Sequence, residues 1–304
     1  KLWKKNGFPQ DAVQLAVDTP AKPITKELAE HDAVSLIDYT GSNSFGDYVE
    51  SLGKEVFTEK SGVNSVIIDS VENLKETAQN IAFSISLYSG QMCTAPQNIF
   101  IAEEVKSAEE TYSYNQVIEA IKEAVKGVIN HPKMGAGTLA TIQNDATVKR
   151  IEEGGDFGGE ILLEGSPITN TEFGNARVKS PTLIATDTAN TKIEEECFGP
   201  LVFLVKTKNT KESVTKAAAI AKTKGAITCL AFSTDKQAQE LIKQEMNAAF
   251  TPVSLNMKGA GFVNQHAAFS DLHVSGGNPA GNASFADSSY LNRRFVWVGN
   301  RWME

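Results

Sequence analysis

One of the three cysteines, Cys93, stands in a turn where its thiol could act as a nucleophile. A helical apolar pattern precedes it, and Ser89-Gly90 predicts the end of that helix. Pro96 follows shortly after, so backbone N–H groups in this turn are expected to lack helical partners. Such donors, with the positive end of any helix that begins here, would favour a thiolate and stabilise an oxyanion. A buried cysteine that packs as a small apolar residue fits the same pattern.

A carboxylate that could serve as a general base, Glu59, precedes Cys93 by 34 residues. It follows the apolar pair Val56-Phe57 and stands in a predicted turn at residues 58–62. Apolar surroundings would raise the pKa of this carboxyl group toward the working range of a base. Many glutamates near turns are simply solvated, so both interpretations stay open for Glu59 alone.

A third candidate site lies in a strand–turn–helix unit near the start of the sequence. The turn Tyr39-Thr40-Gly41-Ser42 follows a predicted strand at residues 34–37, and a helix is predicted through Val49 and Leu52. The free N–H groups at such a helix start are a good place for a phosphate. Many turns of this kind carry Gly and Ser without binding anything, so the pattern alone is weak.

The elements that must position these residues alternate between strands and helices. Strands are predicted at residues 12–17, 34–37, 65–68, 98–101, 160–163, 181–184, 201–205, 227–232 and 294–298, and helices at 25–31, 74–85, 117–128, 147–153, 211–223 and 235–247. This alternation predicts an α/β fold with a parallel sheet. Cys197 and Cys229 lie inside apolar runs and are expected to be buried.

The amino-acid composition argues against several classes of partner and site. The sequence has 29 Lys and Arg against 37 Asp and Glu, a net charge of −8, which argues against nucleic acid or an anionic membrane as the main partner. No apolar run predicts a transmembrane helix, and no signal peptide opens the chain. The three scattered cysteines favour free thiols in a reducing, cytoplasmic compartment. Without a CxxC or HxxxH motif, no metal site is expected.

Three motifs, taken in order, resemble the aldehyde dehydrogenase superfamily. Tyr39-Thr40-Gly41-Ser42 with Gly46 resembles the family's "FTGS…G" turn. Glu59 precedes Cys93, in the sequence GQMC, by the spacing found between the family's general base and its nucleophile. Residues 195–200, EECFGP, resemble the family's "EEIFGP". Residues 180–183 and the loop from Phe269 to Gly276 support the match. Residues 86–101 and 266–284 look most like the PaaN-type dehydrogenases of phenylacetate degradation, whose relatives oxidise a CoA-linked semialdehyde.

The resemblance implies a catalytic α/β domain plus the tail of a Rossmann-like cofactor domain. Residues 1–60 would be the C-terminal part of the NAD(P)-binding domain, 61–280 the catalytic domain and 281–304 an oligomerisation strand. Lys1 would then lie inside the cofactor domain, with the family's oxyanion-hole asparagine and adenosine-ribose lysine upstream of it. The family's "ELGGK" is Glu59-Lys60-Ser61-Gly62-Val63 here, which alters the surroundings of the base.

The resemblance also implies roles for individual residues. Cys93 would attack an aldehyde carbon, and Glu59 would activate the water that hydrolyses the thioester. Glu196 would bind the nicotinamide ribose, Phe198 would pack beside the nicotinamide, and Gly41 and Ser42 would contact the pyrophosphate of NADP or NAD. The homologous enzymes further imply a homodimer or a larger homo-oligomer, with the final strand added to a neighbour's sheet.

Three other hypotheses remain open from sequence. The chain could be a catalytic-domain fragment without dehydrogenase activity, because half of the cofactor site would lie upstream. It could be a Cys/Glu thioester or ester hydrolase that needs no cofactor. It could also be a non-enzymatic oligomerisation module, although such a module has no need of both Glu59 and Cys93.

Overall fold

The computed structural model describes residues 2–9, 11–19, 21–131, 135–153, 157–170, 172–258, 278–281 and 299–303. The chain divides into two compact units, Lys1–Thr58 and Glu59–Glu304. The functional assignment of residues 1–60, 61–280 and 281–304 to three domains stays a prediction.

The first unit contains short helices and one small sheet. Its elements are α1 (Leu2–Lys5), α2 (Thr25–Glu30), β1 (Leu36–Thr40), α3 (Asn43–Glu50) and β2 (Glu55–Glu59), at whose last residue the second unit begins. Strands β1 and β2 pair with each other.

The predicted strand at residues 12–17 is wrong. These residues form no strand, and Val13, Leu15 and Val17 are 68%, 89% and 68% exposed. Alternating apolar residues form a stable strand only where a neighbouring strand and an apolar surface receive them. The described part of the chain provides neither for this segment.

The second unit is built on a nine-stranded sheet, which confirms the predicted α/β fold. The strands are β3 (Ser65–Ser70), β4 (Asn98–Lys106), β5 (Thr111–Ser113), β6 (Glu160–Leu163), β9 (Thr182–Asp187), β10 (Leu201–Thr207), β11 (Cys229–Phe232), β12 (Val253–Leu255) and β13 (Asn300–Trp302), and a separate pair is formed by β7 (Pro167–Ile168) and β8 (Val178–Lys179). The sheet order is β13-β12-β11-β3-β4-β10-β9-β6, with β5 paired to β4. Strands from β13 to β9 run parallel, whereas β5 and β6 are antiparallel to their neighbours.

Helices cover both faces of this sheet, as a parallel sheet requires. The helices are α4 (Leu74–Ser86), α5 (Tyr114–Ile129), α6 (Gly135–Thr138), α7 (Asp145–Glu152), α8 (Thr210–Lys224) and α9 (Lys236–Ala248). The apolar sides of α4 and α5 share one core cluster with the sheet, and those of α8 and α9 share the other. The 3.6-residue apolar periodicity therefore predicted four of the packed helices correctly.

The amino ends of four neighbouring parallel strands meet at one edge of the sheet. In the register of β11, β3, β4 and β10, Cys229 pairs with Ser65, and Asn98 pairs with both Ser65 and Phe203. The segments that precede these strands therefore come together at this edge. Those before β3, β4 and β10 carry Glu59, Cys93 and Glu196.

The predicted strand at residues 294–298 lies outside the described residues, as does the late loop from Phe269 to Gly276. The described strand β13 begins at Asn300 and pairs in parallel with β12 of the same chain. Within the described ranges, no helix is both long and apolar enough to cross a membrane.

Candidate active site

Glu59 and Cys93 form a direct pair. The side chain of Glu59 hydrogen bonds to the Cys93 thiol, and both residues are half-buried. Burial raises the pKa of the Cys93 thiol far above its ordinary value, and the charge and hydrogen bond of Glu59 raise this pKa further. The backbone N–H groups of Cys93 and Thr94 hydrogen bond to the sulfur and act in the opposite direction.

The expectation that the local backbone would favour a thiolate is therefore only half right. The backbone donors expected in this turn do lie against the sulfur, but no helix begins at residues 91–97 to strengthen them. Burial and the Glu59 carboxylate outweigh these donors, so the pKa of the Cys93 thiol is raised and its protonated form is favoured. The Glu59 carboxylate is in place to accept the proton when the thiol reacts.

The chain approaches Cys93 through a left-handed turn. Helix α4 ends at Ser86, and Tyr88, Ser89 and Gly90 have φ values of 52°, 54° and 65°. Left-handed backbone costs roughly 1–3 kcal/mol for each residue other than glycine, and it persists only where surrounding contacts enforce it. The buried Ser89 hydroxyl donates to the Ala140 carbonyl at 3.0 Å and accepts from the Ala140 N–H at 3.0 Å.

Residue 90 must be glycine because of the limited space around it as well as its left-handed backbone conformation. A Cβ atom at this position would lie 2.5 Å from the carbonyl oxygen of Gly199, next to Phe198. The turn before the nucleophile thus packs directly against the segment that leads into β10. Any side chain at residue 90 would separate the two.

Replacing Gly90 with alanine is expected to lower the free energy of unfolding by about 2–4 kcal/mol, from left-handed strain plus overpacking. Urea unfolding measures this loss. Gly158→Ala is the matched control, because its φ is +67° but its added Cβ would meet nothing closer than 3.6 Å. The control should lose only about 1–2 kcal/mol, and equal losses in the two variants would rule out the steric contribution.

Asn64 anchors the loop that follows the nucleophile. Its buried side-chain amide donates to the carbonyl oxygens of Cys93, at 2.7 Å, and Ala95, at 3.1 Å. Its Oδ1 accepts from the N–H groups of Ile227 and Thr228 at 2.9 and 3.2 Å. One side chain therefore joins the Cys93 loop to the segment that enters β11.

The segment 195–200 brings Glu196 and Phe198 to the same place. The Glu196 carboxylate accepts hydrogen bonds from the Ser61 hydroxyl and, at 3.4 Å, from the Gly62 N–H. Burial raises the pKa of Glu196 above its ordinary value, although these two donors and the charge of Arg150 lower it in part. Arg150, on α7, donates to the Phe198 carbonyl at 2.5 Å.

A small cavity joins these groups. Its volume is about 20 Å³, and its lining includes Gly62, Asn64, Cys93, Glu196, Cys197 and Phe198. A space of this size holds about one water molecule. The structure therefore brings together the predicted nucleophile, its base and two of the predicted cofactor residues.

The backbone of Glu59 is fixed by a short segment near the end of the chain. Lys60 donates its N–H to the Ala280 carbonyl at 2.5 Å, and Glu59 forms an isolated antiparallel bridge with Gly281. The Ala280 N–H donates in turn to Asn278 Oδ1 at 2.9 Å. The predicted base is thus held by residues more than two hundred positions away.

The two other predicted cofactor residues, Gly41 and Ser42, lie in the first unit. Ser42 occupies the N-cap position of α3 but forms no side-chain capping bond, and the Tyr39 hydroxyl donates to its carbonyl at 3.0 Å. A Cβ on Gly41 would collide with the Tyr39 ring. The turn leads from β1 into α3, as predicted, and the roles of Gly41 and Ser42 in cofactor binding stay a prediction.

Three residues that hold this site together could not be recognised from the sequence: Asn64, Arg150 and Gln97. Their partners lie between 29 and 164 residues away, so no local motif marks them. Cys197 was expected only to be buried, yet it also lines the cavity. Within the described residues, no group of three or more His, Cys, Asp or Glu side chains could hold a metal ion.

With this geometry established, similarity to known proteins decides the family. The model of the aldehyde dehydrogenase family matches residues 1–291. The chain belongs to the aldehyde dehydrogenase family. The predicted superfamily is thereby confirmed, from motifs spread over most of the sequence.

Known aldehyde dehydrogenases resemble the chain in sequence and in structure. The chain is 25% identical to the alpha-ketoglutaric semialdehyde dehydrogenase of Bacillus subtilis over 218 residues, covering 70% of this chain and 44% of that protein. A lactaldehyde dehydrogenase of Methanococcus maripaludis is 27% identical over 219 residues, covering 71% of this chain and 44% of that protein. The crystal structure of an NAD-dependent aldehyde dehydrogenase from Burkholderia multivorans is 38% identical, with a TM-score of 0.84, covering 89% of this chain and 49% of that one.

The NADP-dependent glyceraldehyde-3-phosphate dehydrogenase of Bacillus halodurans, solved with NADP, shares the fold at 22% identity. Its TM-score is 0.64, covering 84% of this chain and 51% of that one. The chain spans about half the length of the aldehyde dehydrogenases it matches.

Proposed function

We propose that this chain carries the nucleophile and the base of an NAD(P)-dependent aldehyde dehydrogenase, which oxidises an aldehyde to a carboxylic acid through a thioester on Cys93. The observation that carries the proposal is the hydrogen bond between Glu59 and the Cys93 thiol, next to a cavity that Glu196 also lines. A buried cysteine with only a structural role has no need of a carboxylate on its sulfur.

The residues present fit a nicotinamide cofactor. The half-buried Glu196 carboxylate is an acceptor suited to the hydroxyl groups of a ribose, and Phe198 is a flat apolar surface on the same cavity. In the first unit, we assign the pyrophosphate to Gly41 and Ser42, because the start of α3 is a type of backbone that binds phosphate groups. The bound cofactor would supply the hydride acceptor. NAD and NADP both remain compatible with these residues.

The chain's own residues account for the remaining chemistry. The Glu59 carboxylate takes the thiol proton as the Cys93 sulfur attacks the aldehyde carbon. The N–H groups of Cys93 and Thr94, which lie against the sulfur, are donors that would stabilise the developing oxyanion. Once Glu59 has passed that proton to solvent and oxidation has left a thioester, the Glu59 carboxylate deprotonates the attacking water, and the departing Cys93 thiolate takes a proton back.

For the substrate, we propose a CoA-linked semialdehyde of phenylacetate degradation. The support is the resemblance of residues 86–101 and 266–284 to the PaaN-type dehydrogenases. The proposal extends to a homodimer or larger homo-oligomer in the cytoplasm, where free thiols such as those of Cys93, Cys197 and Cys229 persist.

A thioester or ester hydrolase is the second candidate, because the Glu59–Cys93 pair by itself supports acylation and hydrolysis. Cofactor binding separates the two. Glu196 and Phe198 on the cavity favour the dehydrogenase, since hydrolysis requires neither a ribose acceptor nor a nicotinamide surface.

Titration of the chain with NAD and with NADP, followed by calorimetry, is expected to show saturable binding of at least one of them. Glu196→Ala should weaken that binding about 10-fold, because the ribose loses a charged acceptor. The exposed neighbour Glu195 provides the control, and Glu195→Ala should leave the affinity within about 2-fold. Absence of binding alongside hydrolysis of an activated ester would favour the hydrolase.

A further inference from the structure

We propose that Gln97 is a positioning residue that locks the Glu196 segment onto the nucleophile loop, so that the cofactor residue and the nucleophile keep a fixed spacing. The inference builds on the proposed function, because it assigns Gln97 to the cofactor role of Glu196. Gln97 itself touches none of the reacting atoms.

The side chain of Gln97 holds the backbone on both sides of Glu196. Its Nε2 donates to the Glu195 carbonyl at 2.8 Å, and its Oε1 accepts from the Cys197 N–H at 2.6 Å. This is the pair of bonds that a neighbouring strand would offer to a residue in a ladder. Residues 195–197 form no strand, so a single side chain supplies both bonds.

The backbone of Gln97 is equally fixed. Its N–H donates to the Asn64 carbonyl at 3.0 Å, and its carbonyl accepts from the Phe203 N–H at 2.9 Å. It is the last residue before β4 and is only 5% exposed. Asn64 also donates to the Cys93 carbonyl. Gln97 therefore connects the hydrogen bonds that hold the nucleophile loop to the segment that carries Glu196.

The position of the Glu196 carboxylate depends on this clamp. Nothing between Glu195 and Gly199 is regular secondary structure, and Glu196 must reach across to the Gly62 N–H. Without Gln97, the Cys197 N–H loses its partner and the Glu195 carbonyl keeps only the weak thiol donor of Cys197, so the segment can shift. Cys93 is held separately, through its carbonyl by Asn64 and through its thiol by Glu59, so the reactivity of the thiol should persist.

The chain offers a matched control in the next residue. Asn98 is also a buried amide, and its Nδ2 donates to the Ile193 carbonyl at 2.8 Å. It reaches the same segment, but three residues before Glu196. Asn98→Ala therefore removes a comparable amide bond without releasing the backbone around Glu196.

Two readouts test the clamp in the full 304-residue chain. Gln97→Ala should raise the Kd for NAD or NADP about 10-fold, while Asn98→Ala stays within about 2-fold, and iodoacetamide should alkylate Cys93 at similar rates in both. Backbone hydrogen exchange at Gly62, whose N–H donates to Glu196, should accelerate about 10-fold in Gln97→Ala and not in Asn98→Ala. The exchange readout needs no cofactor, so it decides the role of Gln97 even if the wild-type chain binds neither dinucleotide and the proposed function fails.

Gln97→Glu tests the same bonds without loss of volume. A protonated carboxyl group reproduces the amide, since its O–H donates to Glu195 and its carbonyl accepts from Cys197. An ionised carboxylate faces the Glu195 carbonyl without a donor. The ratio of the Kd of Gln97→Glu to that of the wild type should therefore approach one at low pH and increase as the new carboxyl ionises. A ratio that stays well above one at every pH, or equal Gly62 exchange in Gln97→Ala and Asn98→Ala, would overturn the proposal and leave Gln97 as a packing residue.

Discussion

Replacing Cys93 with alanine is expected to lower aldehyde oxidation by about four orders of magnitude or more, because the covalent route is lost. The hydrolysis of an activated acyl ester should fall with it, since this reaction needs the same thiol but no hydride acceptor. Cofactor affinity should stay within about 2-fold, because binding is assigned to other residues. Reduced-cofactor absorbance, ester hydrolysis and calorimetry measure the three effects.

Cys197→Ala is the matched control for this experiment. Both thiols line the same cavity, but the Cys197 thiol donates to the Glu195 carbonyl and has no carboxylate on its sulfur. Burial raises the pKa of Cys197 to about 11, so at neutral pH it is a thiol without a base. Mass spectrometry of the acylated protein should locate the adduct on Cys93 in the Cys197→Ala variant. An adduct that persists in Cys93→Ala would assign the nucleophile elsewhere.

The contrast between these two cysteines shows what could be predicted from sequence. Cys93 stands out locally, because a breaker pair and a nearby proline place it in a turn. The pKa of its thiol cannot be predicted from the local sequence. Glu59 lies 34 residues away in the sequence and contacts the sulfur only in the folded chain. The backbone donors beside Cys93 were predicted correctly, but they lower the pKa of the thiol by less than burial and Glu59 raise it.

The same distinction holds for the fold. Helix α5 has apolar residues at helical spacing and a capping box at Ser113 and Gln116, so pattern and local chemistry agree. Residues 12–17 have alternating apolar side chains but no partner in the described structure, and periodicity cannot report whether a partner exists. Gln97 and Asn64 are the hardest residues to predict from sequence. The role of an amide side chain becomes visible only when the fold brings distant backbone groups within hydrogen-bonding distance of it.

Replacing Glu59 with glutamine is expected to produce two opposite effects. Hydrolysis of the acyl-enzyme should slow by about 10²–10⁴-fold, because the water loses its base. The Cys93 thiol should become more reactive toward iodoacetamide near neutral pH. Glu59 raises the pKa of Cys93 through its charge and its hydrogen bond, and glutamine removes the charge. A lower pKa means a larger thiolate fraction at a given pH, which outweighs the modest loss of intrinsic nucleophilicity.

The pH profile of alkylation separates these effects. In the wild type, the rate should still be increasing well above the ordinary pKa range of a thiol, whereas in Glu59→Gln the increase should occur at lower pH. Glu195→Gln, at an exposed carboxylate two residues from Cys197, should match the wild type in both assays. The slow hydrolytic step should also let the acyl adduct accumulate on Cys93 in Glu59→Gln, visible as a stoichiometric mass increase. Alkylation and hydrolysis that both match the wild type would mean that Glu59 neither controls the thiol nor activates the water, and that the pair is only a structural contact.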